Sequence, residues 1–224
     1  FELAYRIPQM MLEFIPLSIW PIVMAGISES YSENRESLPG SLDLYYRLLY
    51  IIIIPVSVLG FAFSGALIPI LYGEGMASAG IFTQLFFIVF SYSFLYTPIS
   101  MALYVMGKSW VNMLIFSILA AVNLGLDFAF IPEYGLWGAF FPVALVMVMA
   151  VIFFDLAVKK FRRDIKIPVN FILRCYLAGL PAALLVITAN LWSGVIALGI
   201  QIVLGAALLV LGFRMMKIIG ERER

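Results

Sequence analysis

The sequence has 224 residues, of which 64% are apolar and only 12% are charged, and its formal net charge is +1. Soluble domains are about 45–50% apolar and about 25% charged, so the composition excludes an ordinary soluble domain, and the near-neutral balance gives no indication of a nucleic-acid partner. There is no histidine and one cysteine, Cys175, which excludes histidine-based catalysis, histidine metal sites and an internal disulfide.

The apolar residues are gathered into stretches long enough to cross a bilayer, which takes about 20 mainly apolar residues per helix. We therefore predict an all-α, polytopic transmembrane helical bundle with about seven spans. The predicted spans, labelled A to G, are A 8–27, B 46–71, C 79–106, D 110–131, E 136–157, F 168–190 and G 195–217.

Glycine and proline, which favour turns, mark the predicted breaks between these spans. The polar segment 28–43, which contains Pro39-Gly40, separates A from B. The other predicted breaks are 73–75 after B, 107–109 after C, 132–135 after D and 190–194 between F and G.

The distribution of basic residues supports this number of spans. Lysine and arginine in short loops are concentrated on the cytoplasmic side. If the chain alternates across the membrane seven times, every basic residue except Arg6 falls on one side. The C-terminus is then predicted to be cytoplasmic and Phe1 to lie outside. Because no signal peptide precedes span A, we expect a longer protein with an earlier span.

Span A contains an unusual number of prolines, namely Pro8, Pro16 and Pro21. Proline removes a backbone donor and kinks a helix, and interrupted helices of transporters often lie near the substrate. Proline is also common in ordinary membrane helices. We predict that span A lines a cavity or moves.

Arg6 and Glu13 are the charged candidates on span A. Glu13 lies inside the span, where an ionisable side chain is costly; it is a proton or cation site, a gate, or a protonated acid hydrogen-bonded between helices. Arg6 binds an anionic head group, because guanidinium matches phosphate geometry, or it snorkels to the interface. About two helical turns separate the two residues, so we expect no direct contact, and Glu13 would pair with a residue outside this chain.

Three other charged features have a mainly structural interpretation. Asp127 lies near the outer end of D and Asp155 near the inner end of E, and both are interpreted as interfacial or paired. The basic run 159–163 resembles a phosphate-binding patch, but such runs are more often topology determinants near anionic lipid.

Small residues at a spacing of four, Gly60 with Ser64 and Ala178 with Ala182, indicate close helix packing. The sequence contains no glycine-rich phosphate loop, no paired-cysteine motif and no nucleophile with an adjacent base. We therefore expect a protein that is not an enzyme and that uses no metal or other cofactor.

Three segments in the first two thirds of the chain carry a resemblance to a known family: ALIPILYGEGMASAG, ALYVMGKSWVNM and NLGLDFAFIPEYGLWGAFFPVA. Their order resembles the polysaccharide flippases, of the O-antigen type, in the multidrug/oligosaccharidyl-lipid/polysaccharide exporter superfamily. Span A, with Trp20-Pro21 near its inner end, is similar to the eighth helix of that family. The resemblance covers most of residues 1–158, whereas F and G match the family only in hydropathy.

The resemblance implies two six-helix bundles facing each other across a central cavity, with this chain as the C-terminal half of a two-lobed transporter. Its N-terminal half, in the same chain, would complete the cavity. The implied organisation is a C-terminal bundle of five spans without its first helix (1–158), a basic cytoplasmic loop (159–167), an extra terminal hairpin (168–217) and a cytoplasmic tail (218–224).

The function implied by the resemblance is the flipping of lipid-pyrophosphate-linked oligosaccharide across a prokaryotic plasma membrane by alternating access, for cell-surface polysaccharide synthesis. Arg6 is then the candidate for binding the head group and Glu13 for ion coupling. Two alternatives within the superfamily stay open, a peptidoglycan-precursor flippase and a drug or cation antiporter. A membrane-embedded transferase is disfavoured, because the chain has no histidine and only short loops.

Overall fold

The computed structural model describes residues 1–73, 75, 77–189 and 195–216, and the secondary structure of this part is helical, which confirms the all-α prediction. We number the α-helices in chain order: α1 Glu2–Glu33, α2 Leu38–Tyr72, α3 Ala77–Ser93, α4 Thr97–Val105, α5 Ser109–Tyr134, α6 Leu136–Phe161, α7 Val169–Ala189 and α8 Val195–Met215.

Five segments of the described chain are long and apolar enough to cross a membrane, and they correspond to spans A to E. Helices α7 and α8 cover most of the predicted spans F and G and have 21 residues each. A polytopic membrane protein is therefore confirmed, with five helices of full span length and two further apolar helices in the described part of the chain. The predicted turn at 190–194, Glu74 in the break after B, and the predicted tail 218–224 lie outside the described residues.

The predicted break between A and B is much shorter in the structure. Helix α1 continues to Glu33, and the Asn34 side chain accepts a hydrogen bond from the Glu36 amide at 3.0 Å, which caps a short 3₁₀ turn. Helix α2 then begins at Leu38, so the prediction that Pro39-Gly40 forms a turn and that B begins at 46 was wrong. Proline is favoured in a first helical turn because the N–H that it lacks has no intrahelical partner there.

The prolines of span A do not interrupt it, because α1 is continuous from Glu2 to Glu33. Span C, in contrast, is divided where the sequence predicted a single helix. A 3₁₀ turn at Phe94–Tyr96 separates α3 from α4, and Pro98 lies in the first turn of α4. The proline ring clashes with the carbonyl four residues earlier in a regular helix, so the chain tightens just before it.

Helices α5 and α6 form a tight hairpin around Gly135, where the break after D was predicted. Gly135 has a φ of +56°, in the left-handed region that glycine adopts at little cost. The preceding Pro132 remains inside α5, so the helix ends at the glycine and not at the proline. A Cβ on Gly138 would lie 2.5 Å from the carbonyl carbon of Phe130, which shows how closely the two backbones approach.

The helices divide into two compact units, and unit 1 comprises Phe1–Phe14, Arg47–Ile88 and Pro168–Arg224. Within it, the Ser57 hydroxyl donates to the carbonyl of Phe87 at 2.9 Å. A Cβ on Gly60 would overlap the Phe87 ring, so α2 and α3 pack closely at the predicted small-residue site. Ala178 and Ala182 are also buried, and the Ala178 carbonyl lies against Gly212 of α8.

Unit 2 comprises Ile15–Tyr46 and Val89–Ile167. The Tyr46 hydroxyl donates to the carbonyl of Leu95 at 2.7 Å. The Asn112 side chain, which is buried, donates to the carbonyl of Ser100 at 3.0 Å. These side chains satisfy carbonyls around the 3₁₀ turn and the start of α4, where regular helical bonding is interrupted.

Candidate substrate and ion-coupling site

The first three turns of α1 line an open groove of about 540 Å³ in unit 1. Its lining residues are Phe1, Glu2, Tyr5, Arg6, Gln9 and Met10. The rings of Phe1 and Tyr5 pack edge-on against Phe86 of α3, with centroids 5.5 and 5.4 Å away. Because Phe86 is fully buried, these contacts hold the start of α1, and with it the groove, against α3.

Arg6 is the cationic group of this groove. Its Nη2 atom lies 2.8 Å from Oε1 of Glu2, and the two side chains are 67% and 76% exposed. An exposed ion pair of this kind contributes only about 0.2–1 kcal/mol. A phosphate, which accepts two parallel hydrogen bonds from guanidinium, can therefore compete with Glu2 for Arg6.

Glu13 is half-buried, and its Oε1 atom accepts a long hydrogen bond of 3.4 Å from the Gln9 amide one turn earlier. Arg6 pairs with Glu2 and Glu13 with Gln9, so the two charged candidates of span A do not pair with each other, as their spacing predicted. Gln9 donates a hydrogen bond but carries no charge. The predicted role of Glu13 as an ion-coupling group stays a prediction, since an ionisable side chain within an apolar span is a candidate for such a role.

Asp127 is a second intramembrane acid, and the sequence analysis gave it only a structural role. It is paired, as one of the two predicted interpretations required: its Oδ2 atom accepts a 2.9 Å hydrogen bond from Asn123, one turn earlier in α5. Its Oδ1 atom is buried and has no hydrogen-bond partner in the described part of the chain. A buried acceptor without a donor is costly, so Asp127 joins Glu13 as a candidate. The sequence feature that could have identified this pair is the four-residue spacing of Asn123 and Asp127, which places both side chains on the same face of a helix.

A smaller apolar groove of about 290 Å³ lies between α1, α2 and α3, also in unit 1, and includes Met11 and Phe87 among its lining residues. Its two hydroxyl groups, from Ser64 and Thr83, donate to carbonyls of their own helices, those of Gly60 and Ala79. Because those donors are already satisfied, the groove presents an apolar surface.

The basic run 159–163 is partly neutralised in the structure. Lys159 pairs with Asp155 at 2.6 Å, so the prediction that Asp155 is paired is confirmed. Arg162 donates from Nε and Nη2 to the two carboxylate oxygens of Asp164, at 2.9 and 2.5 Å. These hydrogen bonds lower the pKa of Asp164 and raise the pKa of Arg162.

Comparison with known proteins gives a match in structure only. No family model matches the chain, and no curated protein matches it. The fold is similar to a solved structure described as "Lipid II flippase MurJ, inward closed conformation", with a TM-score of 0.76 and 18% sequence identity. The match covers 96% of this chain and 47% of that one.

This chain has a helical transmembrane transporter fold. It spans about half the length of the matched structure, because 47% of that structure is covered. The match supports the predicted all-α transmembrane architecture. The sequence identity of 18% is too low to carry residue roles from one protein to the other, so the roles of Arg6, Glu13 and Asp127 depend on their own geometry.

Proposed function

We propose that this chain is one lobe of a transporter that moves a lipid with a phosphate-linked saccharide head group between membrane leaflets by alternating access. The observation that carries this proposal is the fold, which matches a lipid II flippase at a TM-score of 0.76 over 96% of the chain. The exposed guanidinium of Arg6 in a groove of about 540 Å³ supports it, since the cargo's phosphate would need a cationic partner.

The cargo that we favour is a lipid-pyrophosphate-linked oligosaccharide, on the basis of the resemblance of residues 66–80, 102–113 and 123–144 to polysaccharide flippases. A peptidoglycan precursor is the second candidate, and the structural match to a lipid II flippase favours it. Both share a polar head joined through phosphate to a long apolar chain. The guanidinium of Arg6 can bind the phosphate of either cargo. Because Glu2 lines the same groove and balances the charge of Arg6, the charge of the groove alone does not exclude an organic cation.

In this proposal Arg6 exchanges Glu2 for the phosphate of the cargo. The pair is exposed and its distance is 2.8 Å, so the exchange replaces one charge-assisted contact by another. The neighbouring apolar groove of about 290 Å³, which α1 also lines, offers a surface for the start of the lipid chain. Glu13 and Asp127 are the groups proposed to bind the coupling proton or cation.

The proposed arrangement places this chain as the C-terminal lobe, with the N-terminal lobe supplying the other wall of the cavity. We place the protein in a prokaryotic plasma membrane with its C-terminus in the cytoplasm, because that orientation puts every basic residue but Arg6 on the cytoplasmic side. We propose transport and not catalysis, since a transferase would need a reactive group that neither the groove residues nor the sequence motifs supply.

The test is translocation of a fluorescent lipid-diphosphate saccharide by the full-length two-lobed protein in vesicles. Hydrogen bonds to charged groups contribute about 1.5–3 kcal/mol, so Arg6→Ala should slow translocation by roughly tenfold to a hundredfold, while Arg6→Lys should retain part of the rate. Arg35→Ala is the matched control, since Arg35 is also exposed but lies in the linker before α2.

Glu13→Gln and Asp127→Asn test the coupling role in the same vesicles. Each preserves shape and removes a charge, so the proposal predicts loss of the dependence on an imposed ion gradient with the fold unchanged. If the translocation rate of Arg6→Ala equals that of the Arg35→Ala control, Arg6 does not contact the cargo. If neither acid variant changes the gradient dependence, both carboxyls are structural.

A further inference from the structure

The loop between α6 and α7 is short and lies at the end of a membrane span. Helix α6 ends at Phe161 and α7 begins at Val169, and both helices are apolar. The seven residues 162–168 connect two helices that both enter the apolar layer, so they cannot extend far from it. Whatever this loop exposes therefore faces lipid head groups.

Two side chains of the loop point inward and fix its shape. Ile165 is 1% exposed. Arg162 is 18% exposed; besides Asp164, it donates to the backbone carbonyl of Arg35 at 3.1 Å and lies 3.4 Å from Glu36. One guanidinium thus joins the end of α6, the loop and the turn before α2, all within unit 2.

The same contacts leave other cations facing outward. Residues 155–166 contain five basic and two acidic side chains, a net charge of +3. Both acids are already engaged, Asp155 by Lys159 and Asp164 by Arg162. Lys160, Arg163 and Lys166 are exposed, and in the described part of the chain they make no ion pair or hydrogen bond through their side chains.

We propose that Lys160, Arg163 and Lys166, which we name the cationic platform, form a binding surface for anionic phospholipid head groups in the leaflet where α6 ends. Charge complementarity favours this partner: the three side chains are exposed cations next to the end of an apolar helix, and an arginine can bind a phosphate through two parallel hydrogen bonds. Lys160 lies in the last turn of α6, and Arg163 and Lys166 lie in the loop, whose backbone is held by the hydrogen bonds of Arg162 and the burial of Ile165. The platform does not depend on which cargo the proposed transporter moves.

The experiment measures the lipids retained by the full-length protein from nanodiscs of phosphatidylcholine mixed with phosphatidylglycerol, by native mass spectrometry. A basic residue near an anionic surface contributes a factor of about five in affinity. Each replacement by serine at 160, 163 or 166 should therefore lower the preference for phosphatidylglycerol by about fivefold. The charge-preserving variant K160R/R163K/K166R should keep the preference of the wild type.

Two further arms separate the possible outcomes. The serine replacements are made singly, because replacing all three basic residues at once would alter the charges that set membrane orientation; Arg163→Ser keeps the other basic residues. Pyrophosphate equimolar with the phosphatidylglycerol, compared with sulfate at the same ionic strength to correct for screening, displaces the lipid only if the platform prefers soluble phosphate. Retention of phosphatidylglycerol that is equal in wild type and Arg163→Ser, or that is abolished by equimolar pyrophosphate but not by sulfate, would overturn the proposal.

Discussion

The close approach of α5 and α6 at Gly138 gives a sharp test of the structure. A Cβ added at Gly138 would lie 2.5 Å from the Phe130 carbonyl carbon and 2.9 Å from the Ile131 Cα, whereas ordinary contact begins at 3.4 Å. The neighbouring atoms belong to the backbone of α5, so no side-chain rotation relieves the overlap. The Phe130 carbonyl oxygen lies closer still, so Gly138→Ala has to move the two helix backbones apart.

The magnitude follows from two opposing effects. Replacing glycine by alanine inside a helix gains about 1 kcal/mol in helix propensity, and forcing an extra carbon into a packed site costs about 1–3 kcal/mol. Gly125 in α5 is a matched control, since a Cβ there meets no atom within 4 Å. Both variants carry the propensity gain, so the difference between them isolates the steric cost of about 1–3 kcal/mol.

The assay is reversible unfolding in mixed micelles, with helical circular dichroism followed as the fraction of denaturing detergent increases. The free energy of unfolding of Gly125→Ala is expected to equal or exceed that of the wild type. The free energy of unfolding of Gly138→Ala is expected to be lower than that of Gly125→Ala by about 1–3 kcal/mol. Equal stability of the two alanine variants would refute the close α5–α6 contact.

Three further predictions concern charged side chains. Glu2→Gln should strengthen binding of a lipid-diphosphate by about 1.4- to fivefold, because Arg6 no longer has to give up an exposed ion pair worth about 0.2–1 kcal/mol; titration of the lipid in nanodiscs measures the affinity. Arg162→Met should loosen the turn before α2, seen as faster hydrogen exchange of the Ser37 amide, while exchange in α5 stays unchanged. Because the hydrogen bonds from Arg162 lower the pKa of Asp164, the wild type should melt above Asp164→Asn at neutral pH, and this difference should disappear only as the pH falls below about 4.

Hydropathy predicted helices α5 and α6 well, and the glycines between the apolar stretches predicted where helices end. Span D was predicted at 110–131 and span E at 136–157. The starts of α5 and α6 lie within one residue of these predictions, and both helices end a few residues later than predicted. Glycine at 107 and 135 ended helices as predicted, with φ values of +70° and +56°.

The sequence was ambiguous where one residue type serves two purposes. Pro39 is compatible with a loop turn and with the first turn of a helix. In the structure the break lies earlier, at the 3₁₀ turn Arg35–Ser37 capped by the Asn34 side chain, and Pro39 lies in the first turn of α2. The effect of Pro98 on span C was missed because proline is also compatible with a continuous membrane helix, as Pro8, Pro16 and Pro21 in α1 show. Hydropathy alone does not distinguish one long helix from two collinear pieces.

The candidate site was predictable in part. Arg6 and Glu13 were identified from the sequence because they are charged residues in an apolar span. Their separation by seven residues correctly predicted that they do not contact each other. The contact of Arg162 with Glu36 could not be read from the pattern, since the two residues are 126 positions apart. The unpaired oxygen of Asp127 depends on how neighbouring atoms enclose it, which local spacing does not determine.

The most direct test of the proposed function is leaflet exchange of cargo by the wild-type, full-length protein. Vesicles would carry a fluorescent lipid-diphosphate oligosaccharide, a fluorescent peptidoglycan precursor, or an organic cation, and quenching from outside would measure the fraction in each leaflet over time. We predict that one of the two lipid-diphosphate cargoes exchanges well above the rate of protein-free vesicles. Exchange of neither lipid, together with gradient-driven movement of the organic cation, would contradict the account and favour the antiporter alternative.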